Sequence, residues 1–271
     1  MCASYNPTYK NDDIYSLNFA IPGRVFIFNN RNFTNGAKVR GGSEKDVQRL
    51  WDLFEEKIHF EVEALIDKTA DQLRNHIRKI SKLDFENVGC LLIVIMSHGT
   101  DGKILGTDGE EVHLSDFIDP FKTVISLKDK PKMFFVNACR GDKMTPAHDF
   151  AKEVEMDKDE ANHDLYMASK TPLEADILLA FSTVANYFSI RDSEDGSWFI
   201  QVLCDVIEEL KTERDVLGIL TKVNYSVKNK EGVNKKGKLI KMQSTFTSQL
   251  NKMFYFSEHL LVNNIFLYLK I

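Results

Sequence analysis

The chain is 271 residues long, 43% hydrophobic and 28% charged, with a formal net charge of −5 at pH 7. That length supports a substantial core, and that composition excludes a disordered or fibrous protein. The acidic balance speaks against nucleic acid as a partner, because phosphate binding needs a concentrated basic face.

The opening stretch MCASYNPTYKNDDIYS lacks the basic start and apolar run of a secretory signal, so a cytoplasmic protein is expected. Cys2, Cys90, Cys139 and Cys204 show neither CxxC pairing nor zinc-like spacing with histidine, and in a reducing compartment they read as free thiols. No apolar run reaches the roughly 18 residues of a membrane span, the C-terminal HLLVNNIFLYLKI included. No membrane, metal or cofactor is therefore expected.

In chain order, RVFIF (24–28) follows the breakers Pro22 and Gly23 and reads as a buried strand. SEKDVQRLWDLFEEKI predicts a helix: Ser43 stands three residues before Asp46 in a capping-box pattern, and Val47, Leu50, Trp51, Phe54 and Ile58 recur at helical spacing. FEVEALI alternates like a strand, and TADQLRNHIRKI returns to a helical period on Leu73, Ile77 and Ile80. VGCLLIVIMSHG (88–99) and KMFFVNACRG (132–141) share one design, an unbroken apolar run that stops at polar residues. Strands buried on both faces read this way, which points to an α/β fold with a mainly parallel sheet between helices.

Between Gly141 and Pro172 the sequence turns acidic and loses large aliphatic residues, as a linker or long loop does. ADILLAFST (175–183) is a further strand. SWFIQVLCDVIEEL carries a helical stripe from Trp198 to Leu210 with Ser197 as its cap, another helix is expected over 213–228, and short strands over 243–256. DGKILGTDG lacks calcium-loop spacing and reads as two tight turns, and the lysines of KEGVNKKGKLIK as a solvated loop.

In parallel sheets, ligands bind outside the carboxyl ends of the strands, and His98 and Cys139 stand at two such ends. A thiol, ordinarily with a pKa near 8.5, becomes an effective nucleophile beside a histidine that can take its proton. The N–H of Gly99, unobstructed by a side chain, and that of Cys139 could hold an oxyanion. From the pattern alone two readings stay open. Cys139 is either this nucleophile or a small buried residue, and His98 either its partner or a turn residue.

NACRG after an apolar strand, with SHG upstream, resembles the caspase family, for which a Cys-Arg-Gly signature of this kind is already known. IFNNRNF, RGGSEKDVQRLWDLF, ILGTDG, TPLEADILLAFST, YFSIRDSEDGSWFIQVLCDVI and GILTKVN also fall in that family's order, from near residue 15 to near 256. The resemblance implies a three-layer sandwich with a mainly parallel six-stranded sheet and helices on both faces. It implies a cysteine endopeptidase that cuts protein substrates after aspartate, with His98, Gly99 and Cys139 as the catalytic set and the carbonyl of Lys38 orienting the imidazole. Arg40 and Arg191 match the two arginines that grip the aspartate carboxylate. Asn137 stands where glutamine is usual, one methylene shorter. Phe188, Ser189, Ile190 and Trp198 match the neighbouring substrate wall, with Ile190 where tryptophan is common.

The resemblance further implies a zymogen with a short propeptide (1–13), a large-subunit segment (14–157), a cleavable linker (158–164) and a small-subunit segment (165–271). Asp157, Asp159 and Asp164 are the candidate cleavage points. A homodimer acting in programmed cell death is implied, with an upstream activating caspase and inhibitor proteins as further partners. Asn137 and Ile190 leave a second reading, a catalytically weak homologue that regulates another caspase.

Overall fold

A computed structural model of the chain describes residues 11–141, 145–146, 175–233, 237 and 239–257. Six strands form the central sheet: β1 (Arg24–Asn29), β2 (Glu61–Ile66), β3 (Leu91–Met96), β4 (Lys132–Asn137), β5 (Ile177–Phe181) and β6 (Thr245–Ser248). Their order across the sheet is β6-β5-β4-β3-β1-β2. Every neighbouring pair is parallel except β6 with β5, which is antiparallel.

The helices are α1 (Ser43–Trp51), α2 (Ala70–Ile80), α3 (Leu114–Lys122), α4 (Trp198–Leu210) and α5 (Val216–Asn229). Because side chains alternate along a strand, each central strand feeds two cores. Leu92, Val94 and Met96 of β3 pack with Leu50 of α1, Leu203 of α4 and Val223 of α5. Leu91, Ile93 and Ile95 pack on the other face with Leu73 and Ile77 of α2 and Phe117 of α3. This is why the β3 and β4 sequences are unbroken runs: neither face meets water, and each fully buried large aliphatic or aromatic side chain contributes about 1.5–3 kcal/mol of transfer free energy.

The expected three-layer α/β sandwich is therefore present, with differences in detail. α1 ends at Trp51 and passes into a wider turn over Asp52–Lys57, where Ile58 N–H reaches Leu53 O at 3.0 Å. The expected capping box at Ser43 does not form. Gly42 is the cap residue, and Ser43 and Asp46 are fully buried with other partners. A capping box does form at α2, between Thr69 and Gln72. α5 begins later than expected, where the Asp215 carboxylate accepts from the N–H groups of Leu217 and Gly218. Helix α3 has no counterpart in the sequence expectations, and its period was masked by Pro120 in the last turn. The two turns expected in DGKILGTDG flank a short strand, Lys103–Leu105.

At the amino ends of the strands, the N-terminal segment is strapped to the end of the C-terminal one. Met253 N–H donates to Asp13 O and Tyr15 N–H to Met253 O, both at 2.9 Å. The Tyr15 hydroxyl donates to the buried carboxylate of Asp176 at 2.5 Å and accepts from Asn251 N–H at 3.0 Å. Asp157, Asp159 and Asp164 lie outside the described residues. No helix among the described residues is long and apolar enough to cross a membrane.

Candidate active site

β3 and β4 lie side by side in register, Met96 opposite Asn137, so the residues that follow them emerge together at the carboxyl edge of the sheet. There His98, Cys139, Arg40, Arg191, Asn137, Phe188 and Ser189 line one hollow of about 260 Å³, together with Ser97, Ala138 and Ser197. Gly99 is the closest crossing. A Cβ at that position would lie 2.5 Å from Lys103 O, 3.2 Å from the Ala138 Cβ and 3.4 Å from Cys139 O, so only glycine lets the segment after β3 pass against the one after β4.

The loop of residues 31–40 fixes the imidazole from two sides. His98 Nε2 lies 2.7 Å from Lys38 O, and since a carbonyl only accepts, Nε2 carries the hydrogen and Nδ1 is left as the basic nitrogen of the neutral ring. Phe33 packs on the same ring, with centroids 4.8 Å apart and planes at 44°. Burial pushes the His98 pKa below its ordinary range, and the nearby Arg40 and Arg191 cations add to this against the opposing bond to Lys38. The imidazole is therefore neutral at neutral pH. Cys139 is a partly exposed free thiol, whereas Cys90 and Cys204 are fully buried and burial raises both of their pKa values, which leaves them inert.

Arg40 is almost wholly buried, 2% exposed, and donates through Nη1 to Asn29 Oδ1 at 3.1 Å and Asn30 O at 2.9 Å. Burial and the facing Arg191 cation push it down to about 9, which keeps it charged at neutral pH. Arg191, half-buried and likewise lowered by burial, donates through Nε to Gly41 O at 2.8 Å. Two cations thus share one hollow, offset by the Asp46 carboxylate, which acts on both, and by Glu44, which acts on Arg191.

Asn137 is held by hydrogen bonds on both sides. Its Nδ2 donates to Ser197 Oγ at 2.7 Å and its Oδ1 accepts from the Ser189 hydroxyl at 3.0 Å. Ser197 stands at the cap position of α4, but its side chain does not cap that helix. It donates instead to Asp46 Oδ2 at 2.5 Å, while its own N–H and Gln201 Nε2 complete the ring of donors around that carboxylate. The antiparallel pairing of Arg191 with Ser197 sets the two side by side in the wall.

Phe188 lines the hollow and is 41% exposed. Ile190 and Trp198 are not among its lining residues. Both pack instead on the α1–α4–α5 core; Ile190 N–H meets Met242 Sδ at 3.1 Å, and the Trp198 ring lies against Gly232. Ser97, Ser197, Asp46 and Phe33 had no site role in the sequence reading. The sequence pattern places Ser197 and Asp46 at helix caps, and nothing in the composition marks Phe33. Among the described residues no cluster of three histidine, cysteine or carboxylate side chains is arranged to hold a metal.

A partly exposed thiol, an imidazole and two cations around one hollow can be compared with known proteins. The family model of the caspase domain matches residues 22–255. The chain belongs to the caspase family. It is 34% identical over 231 residues to caspase-7 of Gallus gallus, covering 82% of this chain and 70% of that relative. It is 35% identical over 265 residues to caspase-8 of Mus musculus, covering 91% of this chain and 53% of that relative, so it spans about half the length of the latter. A crystal structure of caspase-1 from Spodoptera frugiperda superposes with a TM-score of 0.79 at 27% identity, over 93% of this chain and 96% of that one. The expected membership in this family of cysteine proteases is thereby established, and the caspase fold with it.

Proposed function

We propose that this caspase is an active cysteine endopeptidase that cleaves protein substrates after aspartate. The observation that carries the reading is the shared hollow: Cys139 and His98 stand beside two cations, the buried Arg40 and the half-buried Arg191, whose guanidinium groups suit a carboxylate. The chemistry is acyl transfer. The Cys139 sulfur attacks the scissile carbonyl carbon, with its proton passing to His98 Nδ1, while the N–H groups of Gly99 and Cys139 hold the oxyanion. The carbon–nitrogen bond then breaks, and His98 returns the proton to the departing amine. Water, deprotonated by the same nitrogen, attacks the thioester and releases the aspartyl acid and the thiol. No cofactor enters any step.

The zymogen reading continues from the family: a propeptide over 1–13, a large segment over 14–157, a linker over 158–164 cut at Asp157, Asp159 or Asp164, and a small segment over 165–271. An upstream caspase performs that cut, inhibitor proteins oppose it, and the setting is programmed cell death in the cytoplasm. β6 is the half-buried edge strand of the sheet, and a homodimer would pair through it. Phe188, which lines the hollow, belongs to the wall for residues upstream of the aspartate, and Ile190 and Trp198, packed on the core, would act on that wall only through their packing.

One observation favours a second reading, a weak homologue that regulates another caspase. The shorter Asn137 commits its amide oxygen to Ser189 and one amide N–H to Ser197 within the protein, which leaves a single N–H for a substrate. Turnover of a fluorogenic acyl-aspartyl peptide decides between them. The protease reading expects hydrolysis that Cys139→Ala abolishes, and no turnover even after linker cleavage would transfer the assignment to the regulator.

A further inference from the structure

Resting on the reading of the hollow as an aspartate pocket, we propose that Asp46 is a positioning residue. It fixes the direction of the Ser189–Asn137–Ser197 hydrogen-bond chain, so that Asn137 offers a substrate carboxylate an N–H and not its carbonyl oxygen.

Asp46 is fully buried, and burial raises its pKa, but the Ser197 hydroxyl, Gln201 Nε2, the Ser197 N–H and the nearby Arg40 cation all oppose that rise and favour the carboxylate, which can only accept. The Ser197 hydroxyl has one proton, and at 2.5 Å from Asp46 Oδ2 that proton is committed to the carboxylate. Toward Asn137, 2.7 Å away, Ser197 Oγ can then only accept, which requires the amide nitrogen to face it. The amide oxygen consequently points to Ser189, whose hydroxyl supplies the matching proton at 3.0 Å. Every proton in the chain runs toward Asp46. One amide N–H beside Ser197 is left over, and it belongs to a residue that lines the hollow with Arg40 and Arg191. Gly196 permits this arrangement. Its φ is +97°, and a Cβ there would lie 2.4 Å from Asp46 Oδ1, so the carboxylate seats directly against the turn that carries Ser197.

The electrostatic role of Asp46 makes the opposite demand. A negative charge that partly neutralises Arg40 and Arg191 weakens the pocket for an anion, so on charge alone its removal should strengthen aspartate binding. If Asp46 acts by orientation, its removal weakens aspartate binding instead. An asparagine at 46 can donate to Ser197, letting the hydroxyl point back toward Asn137. The amide can then turn over and set an oxygen lone pair where the native amide sets its second N–H. That lone pair repels a carboxylate and accepts from a substrate amide.

The test uses Asp46→Asn and Ser197→Ala in the full-length protein, with kcat/KM on a matched pair of fluorogenic peptides ending in aspartate or asparagine. Equilibrium binding of the corresponding peptide aldehydes is measured in parallel. A ratio taken on one preparation does not depend on how much of it is folded. Ser197→Ala leaves the main-chain and Gln201 donors to Asp46 in place should Asp46→Asn fail to fold. The expected result is a fall of about tenfold or more in aspartate-over-asparagine preference for Asp46→Asn, the size of one charge-assisted hydrogen bond, and a smaller fall for Ser197→Ala. An unchanged or increased preference in both variants overturns the proposal. A wild-type protein that turns over neither peptide but discriminates between the aldehydes defeats the protease reading alone. In that case the aldehyde ratios of the variants decide the role of Asp46.

Discussion

The Arg191 side chain donates to the carbonyl of Gly41, the residue next to Arg40, at 2.8 Å, so the segments bearing the two guanidinium groups are tied to each other. Gly42 sits at this joint with φ +84°, and a Cβ there would lie 2.3 Å from Asp192 O.

Gly42→Ala is therefore expected to push the two segments apart. The left-handed conformation costs about 1–2 kcal/mol for any other residue, before the clash with main chain is counted. Thermal melting should show the loss of stability, and KM for an aspartyl peptide should rise even in protein that folds. Unaltered melting and KM would contradict the joint described here.

Arg191→Lys keeps the charge and loses the fork. A single charge-assisted bond is worth about 1.5–3 kcal/mol, so kcat/KM for aspartyl peptides should fall by roughly tenfold to a hundredfold, with KM carrying much of the change. An equally active lysine variant would mean that Arg191 acts only as a distant charge.

The depressed pKa of His98 has a sign that can be checked. The unfolded chain takes up the imidazole proton near pH 6.5, whereas the folded site resists it to lower pH. The contribution of His98 to stability is therefore complete above pH 6.5 and is lost as the pH falls toward the folded value. The melting temperature of the wild type relative to His98→Gln should decline over that window, and the acid limb of kcat/KM should lie below 6.5. A difference that stays flat from pH 7.5 to 5, or grows toward acid, would contradict the assignment.

Tyr15→Phe removes the hydroxyl shared by Asp176 and Asn251 at the opposite edge of the sheet. A buried bond to a charged group contributes about 1.5–3 kcal/mol, and denaturant unfolding should show a loss of that order without a change in KM. A change in KM would mean that the strap communicates with the hollow.

The layers of the fold were legible in the sequence because burial on both faces leaves a mark. β3 and β4 fall within the unbroken apolar runs of 88–99 and 132–141, and the polar residues that end those runs gave His98 and Cys139. α3 was not read, since a nine-residue helix with an internal proline has a weak period. Ser43, Asp46 and Ser197 were misassigned for one reason: a short polar side chain before a helix caps it only when no stronger partner is near. Here tertiary contacts supply one, Asn29 for Ser43 and the Asp46–Ser197 pair for the other two. Phe33 against His98 is a contact across 65 positions of chain, and no local pattern encodes it.

The most direct measurement is the mass of the intact protein, with peptide mapping, after reaction with an aspartyl ketone that alkylates a catalytic thiol, before and after linker cleavage. One adduct on Cys139 is expected, suppressed by competing aspartyl peptide and absent in Arg40→Ala with Arg191→Ala, while Cys90 and Cys204 stay unmodified in their buried sites. A cleaved protein that takes up no label at Cys139, or takes it up equally from a lysyl ketone, would contradict the assignment of this hollow as an aspartate-directed catalytic site.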